Sequence, residues 1–380
     1  MSHFRSRFGA LMVIAALALV VSAMSSGSTA LAVSPPTLYV SMSGSDMNPC
    51  TQQMPCATIQ HAVDESAVGG VVKVLPGTYY QTVNLTQPVS LEGSGMGKTV
   101  IDGKNIDTAA GEGTGSMTPY YGVVSLQNNP GTGGSFLIQG FTIKNAFVTP
   151  TEYNEIIIPS DISVYFDRNS ADSVRINKVT LKAVQNWRAY GGIGLDVFNN
   201  AEPVDFTNSI SQGNFQGALL EGGGYGGAVT VFNDTFKNLP ACAGACSGSS
   251  TVYPGEGLFV LSDEAGTAVD TVTYNYFADY AGFGVAAAAG YSGGNCSSPN
   301  GPCPGNAHVT FSHNQFALGP CAADQDCNAI YLDAEAGNEL TATLKNNKGT
   351  VTKPDTAIVE QTDTGVYSVT EVDNKIRRIT

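Results

Sequence analysis

Apolar and polar residues alternate with a period of two along much of the chain, in segments separated by turns. One unit, GLFVLSDEAGTAVDTVTYNYF from Gly257 to Phe277, has a small residue, an alternating strand, a turn, a second alternating strand, an asparagine and an aromatic residue. The same order recurs from Gly194, Ala218, Gly284, Ala329 and Ala357. Alternation points successive side chains to opposite faces of a strand. The pattern therefore predicts an interior filled by Val229, Val231, Val272, Tyr274, Val309 and Phe311.

Aligning these units produces two columns of similar residues. The first holds the small residues Gly194, Ala218, Gly257, Gly284, Ala329 and Ala357. The second holds the turn asparagines Asn177, Asn208, Asn233, Asn275, Asn314, Asn347 and Asn374. Asparagine tolerates the left-handed backbone of a sharp corner, and stacked side-chain amides can hydrogen-bond along a column. Unrelated hairpin turns would not repeat asparagine in the same context, so we expect stacked coils.

Such a repeat cannot bury its apolar side alone, so each coil must stack on its neighbours. Parallel crossovers are right-handed by strong preference. The sequence therefore predicts an all-β fold, a single-stranded right-handed parallel β-helix, as one domain over residues 33–380. Residues 37–103 would form an N-terminal cap and the first coils, and residues 135–380 the further coils with disulfide-stapled loops.

A short helix is expected to cap the first coil. The segment TIQHAVDESAV places Ile59, Ala62, Val63 and Ala67 near one helical face, and Thr58 is suited to the N-cap. A helix laid across the first coil would shield the core from water.

The first 32 residues have the features of a secretory signal. Arg5 and Arg7 precede an apolar run from about Ala10 to Val21, and Ala30-Leu31-Ala32 forms a small-x-small cleavage site. The apolar run is too short to span a bilayer, and no later stretch is long and apolar enough to do so. We expect a secreted, extracellular protein with no membrane span after signal cleavage.

All eight cysteines follow the predicted signal and fall into four close pairs. An even count, local spacing and an export signal together favour four small disulfide loops. The metal alternative needs paired C-x2-C knuckles, and only CAGAC comes close to that spacing. The predicted disulfides are Cys50–Cys56, Cys242–Cys246, Cys296–Cys303 and Cys321–Cys327.

The chain is acidic, with a formal net charge of −14 that includes the two arginines of the signal. Phosphate contacts require a basic surface, so nucleic acid is not an expected partner. An acidic protein also repels polyuronate chains unless a divalent cation bridges them. No cofactor motif is present in the sequence.

The stretch LYVSMSGSDMNPCTQQMPCATIQHAVDESAVGGVVKVLPGTYYQTVNL resembles the start of secreted pectin-lyase-like right-handed β-helix proteins. Their usual pattern runs YVS-x2-GSD-x-NPGT, then PFATIQ-x-A and V-x-V-x-PGTY. Cys50 and Cys56 replace a glycine and a phenylalanine of that pattern. The paired departure implies a disulfide in place of aromatic packing under the cap. The family contains polysaccharide lyases, glycoside hydrolases, epimerases and non-catalytic surface proteins, so the resemblance implies the fold without naming an activity.

A lyase of this family would use aspartates to hold Ca²⁺ and an arginine or lysine to abstract a proton. Acids and cations occur together between Asp161 and Asp196, a stretch that a solvated outer face would also explain. It contains Arg168, Arg175 and Arg188, with Arg188 the candidate base. Trp187 and Tyr190 beside it are candidates for stacking against a sugar, although packing within the protein would also account for them.

A hydrolase needs two carboxyl groups flanking the glycosidic bond. Side chains one coil apart lie about 4.8 Å from each other, and side chains two coils apart about 9.6 Å. These two distances bracket the separation of the carboxyl groups in an inverting hydrolase. The candidates are Asp196, Glu221 and Asp333, although an acidic solubilising surface would explain them equally well.

Our leading hypothesis is a secreted β-helix protein that binds an extracellular polysaccharide or a cell-surface glycan through its outer flank. The alternative is a polysaccharide lyase or glycoside hydrolase acting on extracellular glycan, where a lyase would also need Ca²⁺. A further alternative is a non-catalytic structural protein that self-associates.

Overall fold

The computed structural model describes 34–104, 122–126, 134–145, 160–165, 173–182, 193–198, 203–214, 216–222, 227–239, 255–262, 266–280, 282–290, 305–317, 328–335, 337–351, 358–363 and 365–378. The predicted signal, residues 1–32, lies outside this part of the chain. Every described strand belongs to one compact unit, Pro35–Thr380.

The strands of the described residues form three parallel sheets, which we call A, B and C. Sheet A contains β1 (Thr37–Val40), β2 (Gly70–Val74), β5 (Val89–Gly93), β8 (Ser135–Gln139), β11 (Ser173–Asn177), β14 (Val204–Thr207), β17 (Val229–Phe232), β20 (Thr267–Thr273), β23 (Asn306–Ser312), β26 (Glu339–Lys345) and β29 (Val366–Val372). Sheet B contains β3 (Gly77–Tyr80), β6 (Thr99–Asp102), β9 (Thr142–Lys144), β12 (Thr180–Lys182), β15 (Ile210–Gln212), β18 (Thr235–Leu239), β21 (Tyr276–Tyr280), β24 (Gln315–Ala317), β27 (Lys348–Val351) and β30 (Lys375–Arg378). Sheet C contains β4 (Val83–Asn84), β7 (Gly122–Leu126), β10 (Ser160–Tyr165), β13 (Ile193–Phe198), β16 (Gln216–Gly222), β19 (Glu256–Ser262), β22 (Phe283–Ala289), β25 (Asn328–Glu335) and β28 (Ile358–Asp363).

From β2 onward the chain visits sheets A, B and C in turn, and each strand pairs in parallel with the strand three places later. In sheet A, for example, Val204 pairs with Val229, and Val229 pairs with Asp270. This topology is a parallel β-helix, which confirms the predicted fold class.

The coil interior follows the predicted alternation closely. Five of the six predicted interior residues are buried: Val229, Val231, Val272, Val309 and Phe311. The prediction for Tyr274 was wrong, because its side chain is 54% exposed. Its backbone has a φ of 60°, in the left-handed region, so the strand ends at Thr273 and the alternation does not continue through it.

The small-residue column lies where sheet B turns into sheet C, and one of its members was misplaced. Ala218 pairs with Leu195 and Leu258, so the glycine in register with Gly194 and Gly257 is Gly217. A Cβ on Gly257 would lie 2.0 Å from the carbonyl oxygen of Gly284 and 2.7 Å from the ring of Phe277. Close approach to the next coil and to a stacked phenylalanine therefore excludes larger side chains here. Ala357 lies outside the described residues.

The predicted asparagine column is two columns at the corner between sheets A and B. Asn208 and Asn233 take the left-handed position, with φ of 53° and 58°. Asn177 precedes that position as the last residue of β11. The remaining members occupy the next position along the turn, where the side chain points inward: Asn275, Asn314, Asn347 and Asn374.

The inward asparagines form a hydrogen-bonded ladder from coil to coil. Asn314 illustrates its unit: its backbone N and its Nδ2 both donate to Asn347 Oδ1, at 3.1 and 3.2 Å. The same Nδ2 also donates to the carbonyl oxygen of Val272 at 2.9 Å. Asn275 donates to Asn314 Oδ1 in the same way, and Asn347 to Asn374 Oδ1. Each amide therefore closes a corner and links it to the next coil.

The predicted helix is present as α1 (Ile59–Asp64), with Thr58 as its N-cap. Thr58 Oγ1 accepts a hydrogen bond from the backbone N of His61 at 3.3 Å. Ile59, Ala62 and Val63 are buried against the first strands, whereas Ala67 is exposed because the helix ends at Asp64.

The predicted Cys50–Cys56 disulfide is present and buried beside this helix. Cys56 N donates to Tyr39 O in β1 at 2.9 Å, and Cys56 O accepts from Ser41 N, just after β1, at 2.9 Å. The bridge therefore fixes the segment before the helix against β1. The other six cysteines, Cys242, Cys246, Cys296, Cys303, Cys321 and Cys327, lie outside the described residues.

Candidate functional site

The outward side of sheet C carries a distinct set of side chains. Inward residues such as Ala218 and Leu220 belong to the main core, whereas Leu219, Leu261 and Ala288 pack in a separate cluster. The register extends this outward side over several coils. We call the following outward positions the sheet C face: Asp196, Leu219, Glu221, Phe259, Leu261, Ala286, Ala288, Tyr331 and Asp333.

The charged residues in the described strands of sheet C are all acidic. They contain no lysine, arginine or histidine, and their acidic residues number eight. These acids are Asp161, Asp196, Glu221, Glu256, Asp333, Glu335, Glu360 and Asp363. Among them, the outward acids Asp196, Glu221 and Asp333 favour a neutral or cationic ligand over an anionic one.

Asp196 is the most enclosed acid of the sheet C face. It is 2% exposed, and its Oδ1 has no hydrogen-bond partner among the described residues. Burial raises the pKa of Asp196 to about 7, because the charged carboxylate is separated from water. The group can therefore hold a proton near neutral pH and release it when a cation approaches.

Glu221 follows Asp196 on the next coil. Phe198 pairs with Glu221, so Glu221 lies one strand and two residues away on the same side. Standard strand spacings place the two Cα atoms about 8 Å apart. Asp333 has the same register as Glu221, three strands further on, which corresponds to about 14 Å. Asp196 and Glu221 are thus near neighbours, and Asp333 is separate.

Three aromatic rings lie in contact beside these acids. The Phe259 and Phe283 ring centroids are 5.5 Å apart, and those of Phe283 and Tyr331 are 6.2 Å apart. Ala286 separates Phe259 from Tyr331 in register, and its small side chain leaves room for the Phe283 ring to contact both. All three rings are half-buried. We call Phe259, Phe283 and Tyr331 the aromatic trio.

A further carboxyl, Glu256, lies at the start of β19, before the glycine corner. Its Oε2 accepts a hydrogen bond from Gln216 Nε2 at 2.9 Å. Burial raises the pKa of Glu256 to about 8. Sheet C therefore has two carboxyl groups with raised pKa values.

Of the predicted cationic partners, only Arg175 lies among the described residues, and it lies away from Asp196 and Glu221. Arg175 lies on β11 in sheet A, where its exposed Nε is 3.8 Å from Asp205 Oδ2. The candidate base Arg188 and the predicted sugar contacts Trp187, Tyr190 and Arg168 lie outside the described residues. Within the described part, the structure therefore brings Asp196 and Glu221 together without Arg175.

The described residues do not provide a cage of acids for Ca²⁺. Among them, the one group of three potential ligand side chains within coordination reach is Cys50, Cys56 and His61. Its two sulfurs are already joined in the disulfide. Calcium prefers six to eight oxygen ligands, which this group does not supply.

The aromatic trio and Glu256 were not predicted from the sequence. Strand parity places Phe259 and Tyr331 outward, and the run FGVAAAA shows that small residues lie between them. However, the loops joining the coils differ in length, so the coil register that brings the rings into contact cannot be read from spacing alone.

Comparisons with known proteins give limited matches. No family model matches the chain. The Bacillus subtilis (strain 168) protein named "Uncharacterized protein YwoF" is 32% identical over 78 residues. That match covers 19% of this chain and 17% of the relative, so the chain matches less than a fifth of that protein.

No helix among the described residues is long and apolar enough to cross a membrane.

Several solved structures are similar in part. A structure named rhamnogalacturonan lyase has 15% identity and a TM-score of 0.40, with 83% of this chain and 74% of that chain covered. An alginate lyase from Paenibacillus sp. str. FPU-7 has 12% identity and a TM-score of 0.37, with 87% and 99% covered. The Azotobacter vinelandii mannuronan C-5 epimerase AlgE4 A-module has 14% identity and a TM-score of 0.30, with 82% and 87% covered. Identity and TM-score are low in each case, so the fold assignment rests on the three sheets themselves.

Proposed function

We propose that this protein is secreted and binds an extracellular polysaccharide through the sheet C face. The observation that supports this best is the aromatic trio, three half-buried rings in contact beside carboxyl groups. Aromatic rings contact the apolar faces of sugar rings, and neighbouring carboxyl oxygens accept hydrogen bonds from hydroxyl groups. The Cys50–Cys56 disulfide agrees with an oxidising compartment, as does the predicted signal.

The binding role is tested with a double variant, Phe259→Ala with Tyr331→Ala, against a panel of glycans. We expect at least a 10-fold loss of affinity, because two ring contacts of about 1 kcal/mol each are removed. The matched control is Phe232→Ala with Tyr274→Ala. Those two rings are also in contact, at 5.7 Å, but lie at the corner between sheets A and B. Equal affinity of wild type and the trio variant for every glycan bound would contradict the proposal.

A second candidate, an inverting glycoside hydrolase, is favoured by Asp196 and Glu221. Burial raises the pKa of Asp196 to about 7, so it can carry the proton that a general acid donates to the leaving oxygen. Glu221 would activate water. Its Cα atom lies about 8 Å from that of Asp196 by strand geometry, a spacing that allows the two carboxyl groups to lie about 6.5–9.5 Å apart, as in inverting enzymes. A lyase is less well supported, because the described strands of sheet C supply no cationic base.

The two candidates are separated by assaying reducing ends and unsaturated products on every glycan that binds, with and without Ca²⁺. A hydrolase yields new reducing ends that disappear in Asp196→Asn, while glycan binding through the trio persists. Binding without either product leaves the non-catalytic role as the function.

A further inference from the structure

The charge of sheet C narrows the class of glycan, if the proposed binding role is correct. Across its described strands the sheet combines eight acids with no lysine, arginine or histidine. Uronic acid chains would meet like charge at Asp196, Glu221 and Asp333 on the sheet C face. A neutral chain would meet carboxyl groups to which it supplies only hydroxyl donors. A chain with amino groups would supply opposite charge together with apolar ring faces.

Asp196 gives this charge a specific point of contact. Its side chain is on the outward side of sheet C, is 2% exposed, and has an Oδ1 without a hydrogen-bond partner in the described structure. An enclosed acceptor without a donor is costly, and a ligand that brings a charged N–H group removes that cost. Glu221 lies next to it on the following coil, so one ligand can contact both carboxyl groups.

We propose that the sheet C face binds a polysaccharide with free amino groups, such as a de-N-acetylated amino-sugar chain. Its sugar rings pack against the aromatic trio, and its ammonium groups pair with Asp196, Glu221 and Asp333. Each ammonium supplies three donors to carboxylate oxygens, in pairs that are stronger than neutral hydrogen bonds.

The experiment compares three chains of equal length: a fully de-N-acetylated β-linked glucosamine oligomer, its fully N-acetylated form, and a galacturonate oligomer. Affinities are measured at about pH 5.5, where amines are protonated and ordinary carboxylates are ionised. We expect the amino form to bind at least 10-fold more tightly than the acetylated form. The difference should shrink as salt is raised, because ionic pairs at a surface are screened.

Variants locate the effect on sheet C. Glu221→Gln with Asp333→Asn should reduce the preference for the amino form, the ratio of its affinity to that of the acetylated form, about 10-fold. The matched control is Glu92→Gln with Glu339→Gln, which removes the same charge from strands of sheet A. It should leave the preference intact.

The possible results separate this inference from the proposed function. Equal binding of the amino and acetylated forms, or stronger binding of galacturonate, overturns the inference and leaves glycan binding standing. If instead the preference survives in the sheet C variant and falls in the sheet A control, the ligand binds elsewhere and the inference fails. Absence of binding to any glycan of the wider panel overturns both.

Discussion

The corner between sheets A and B and the outward face of sheet C treat buried polar groups in opposite ways. At the corner, Asn275, Asn314 and Asn347 satisfy one another and the backbone through a continuous set of hydrogen bonds. On sheet C, Asp196 is equally enclosed but has an oxygen without a partner and a pKa raised to about 7. The asparagines of the corner find hydrogen-bond partners within the chain, whereas Asp196 on the sheet C face can accept a hydrogen bond from a ligand. Stability should therefore depend on the corner, and binding on the face.

One residue makes the comparison sharper, because it introduces a carboxyl group into the ladder. Asp234 occupies the inward position two coils before Asn314, and its Oδ1 accepts from Ser209 N at 2.6 Å. Its Oδ2 takes the place of an asparagine Nδ2 and has no partner among the described residues. Burial raises the pKa of Asp234 well above its ordinary value. The ladder is therefore weakest where an acid replaces the amide.

The largest effect is expected from Asn314→Ala, which interrupts the ladder in the middle. The change removes the donor to Val272 O and Asn347 Oδ1, and the acceptor of Asn275 N and Asn275 Nδ2. Four buried groups lose a partner, so the free energy of unfolding should fall by about 3–4 kcal/mol, as measured by denaturant unfolding.

The control for that variant is Asn208→Ala at the same corner. Asn208 Nδ2 donates to Asn177 Oδ1 at 2.9 Å, but this outer pair is exposed to water. The left-handed φ of 53° adds a cost for alanine, and together these effects should total about 1 kcal/mol. Equal losses in the two variants would show that the inner ladder has no special role.

An intermediate effect is expected from Asp234→Asn, which should raise the free energy of unfolding where Asn314→Ala lowers it. An unfolded aspartate titrates near about pH 4, and the folded pKa of Asp234 is well above that value. Protonated Asp234 therefore makes its full contribution to the free energy of unfolding of the wild type below about pH 4. That contribution is lost as the pH rises toward the folded pKa. The asparagine variant has no such loss and completes the ladder. It should be more stable by about 2 kcal/mol at about pH 8, with the difference vanishing toward about pH 4.

The matched control is Asp205→Asn, which removes an exposed carboxylate of sheet A in a loose pair with Arg175. Its effect should stay within about 0.5 kcal/mol at every pH. An Asp234→Asn difference that does not change with pH would show that the group does not titrate in this range.

The sequence allowed much of this fold to be predicted, because alternation and turn chemistry are local signals. Val231, Val272 and Phe311 were assigned to the interior by parity alone and are buried. Parity failed at Tyr274, where a left-handed residue ends the strand without being glycine or asparagine. The asparagines were recognised, but not their division into an outer and an inner column, because adjacent turn positions look alike in sequence.

The candidate site was predictable only in part, for a different physical reason. Asp196 and Glu221 were named as candidate carboxyl groups, and both lie on the sheet C face. The aromatic trio depends on which residues of three successive coils stand side by side. That register follows from loops of unequal length and from the close fit of glycines such as Gly257 against the next coil. Neither the loop lengths nor the glycine contacts produce a periodic pattern in the sequence.

A small change in stability is expected from Asp196→Asn, which makes the same chemical change as Asp234→Asn but on the sheet C face. At about pH 4 the folded Asp196 holds its proton, because burial raises its pKa to about 7, and an unfolded aspartate is about half protonated. An amide then replaces a neutral acid of nearly equal size, and the free energy of unfolding should change by less than about 1 kcal/mol. Affinity for the amino-sugar oligomer should nevertheless fall several-fold, because an amide cannot ionise to pair with an ammonium group. Asp234→Asn should leave this affinity unchanged, because its carboxyl group lies at the corner between sheets A and B. A loss of about 3 kcal/mol or more in Asp196→Asn would place Asp196 among the groups that hold the coils together, and the contrast between corner and face would not stand.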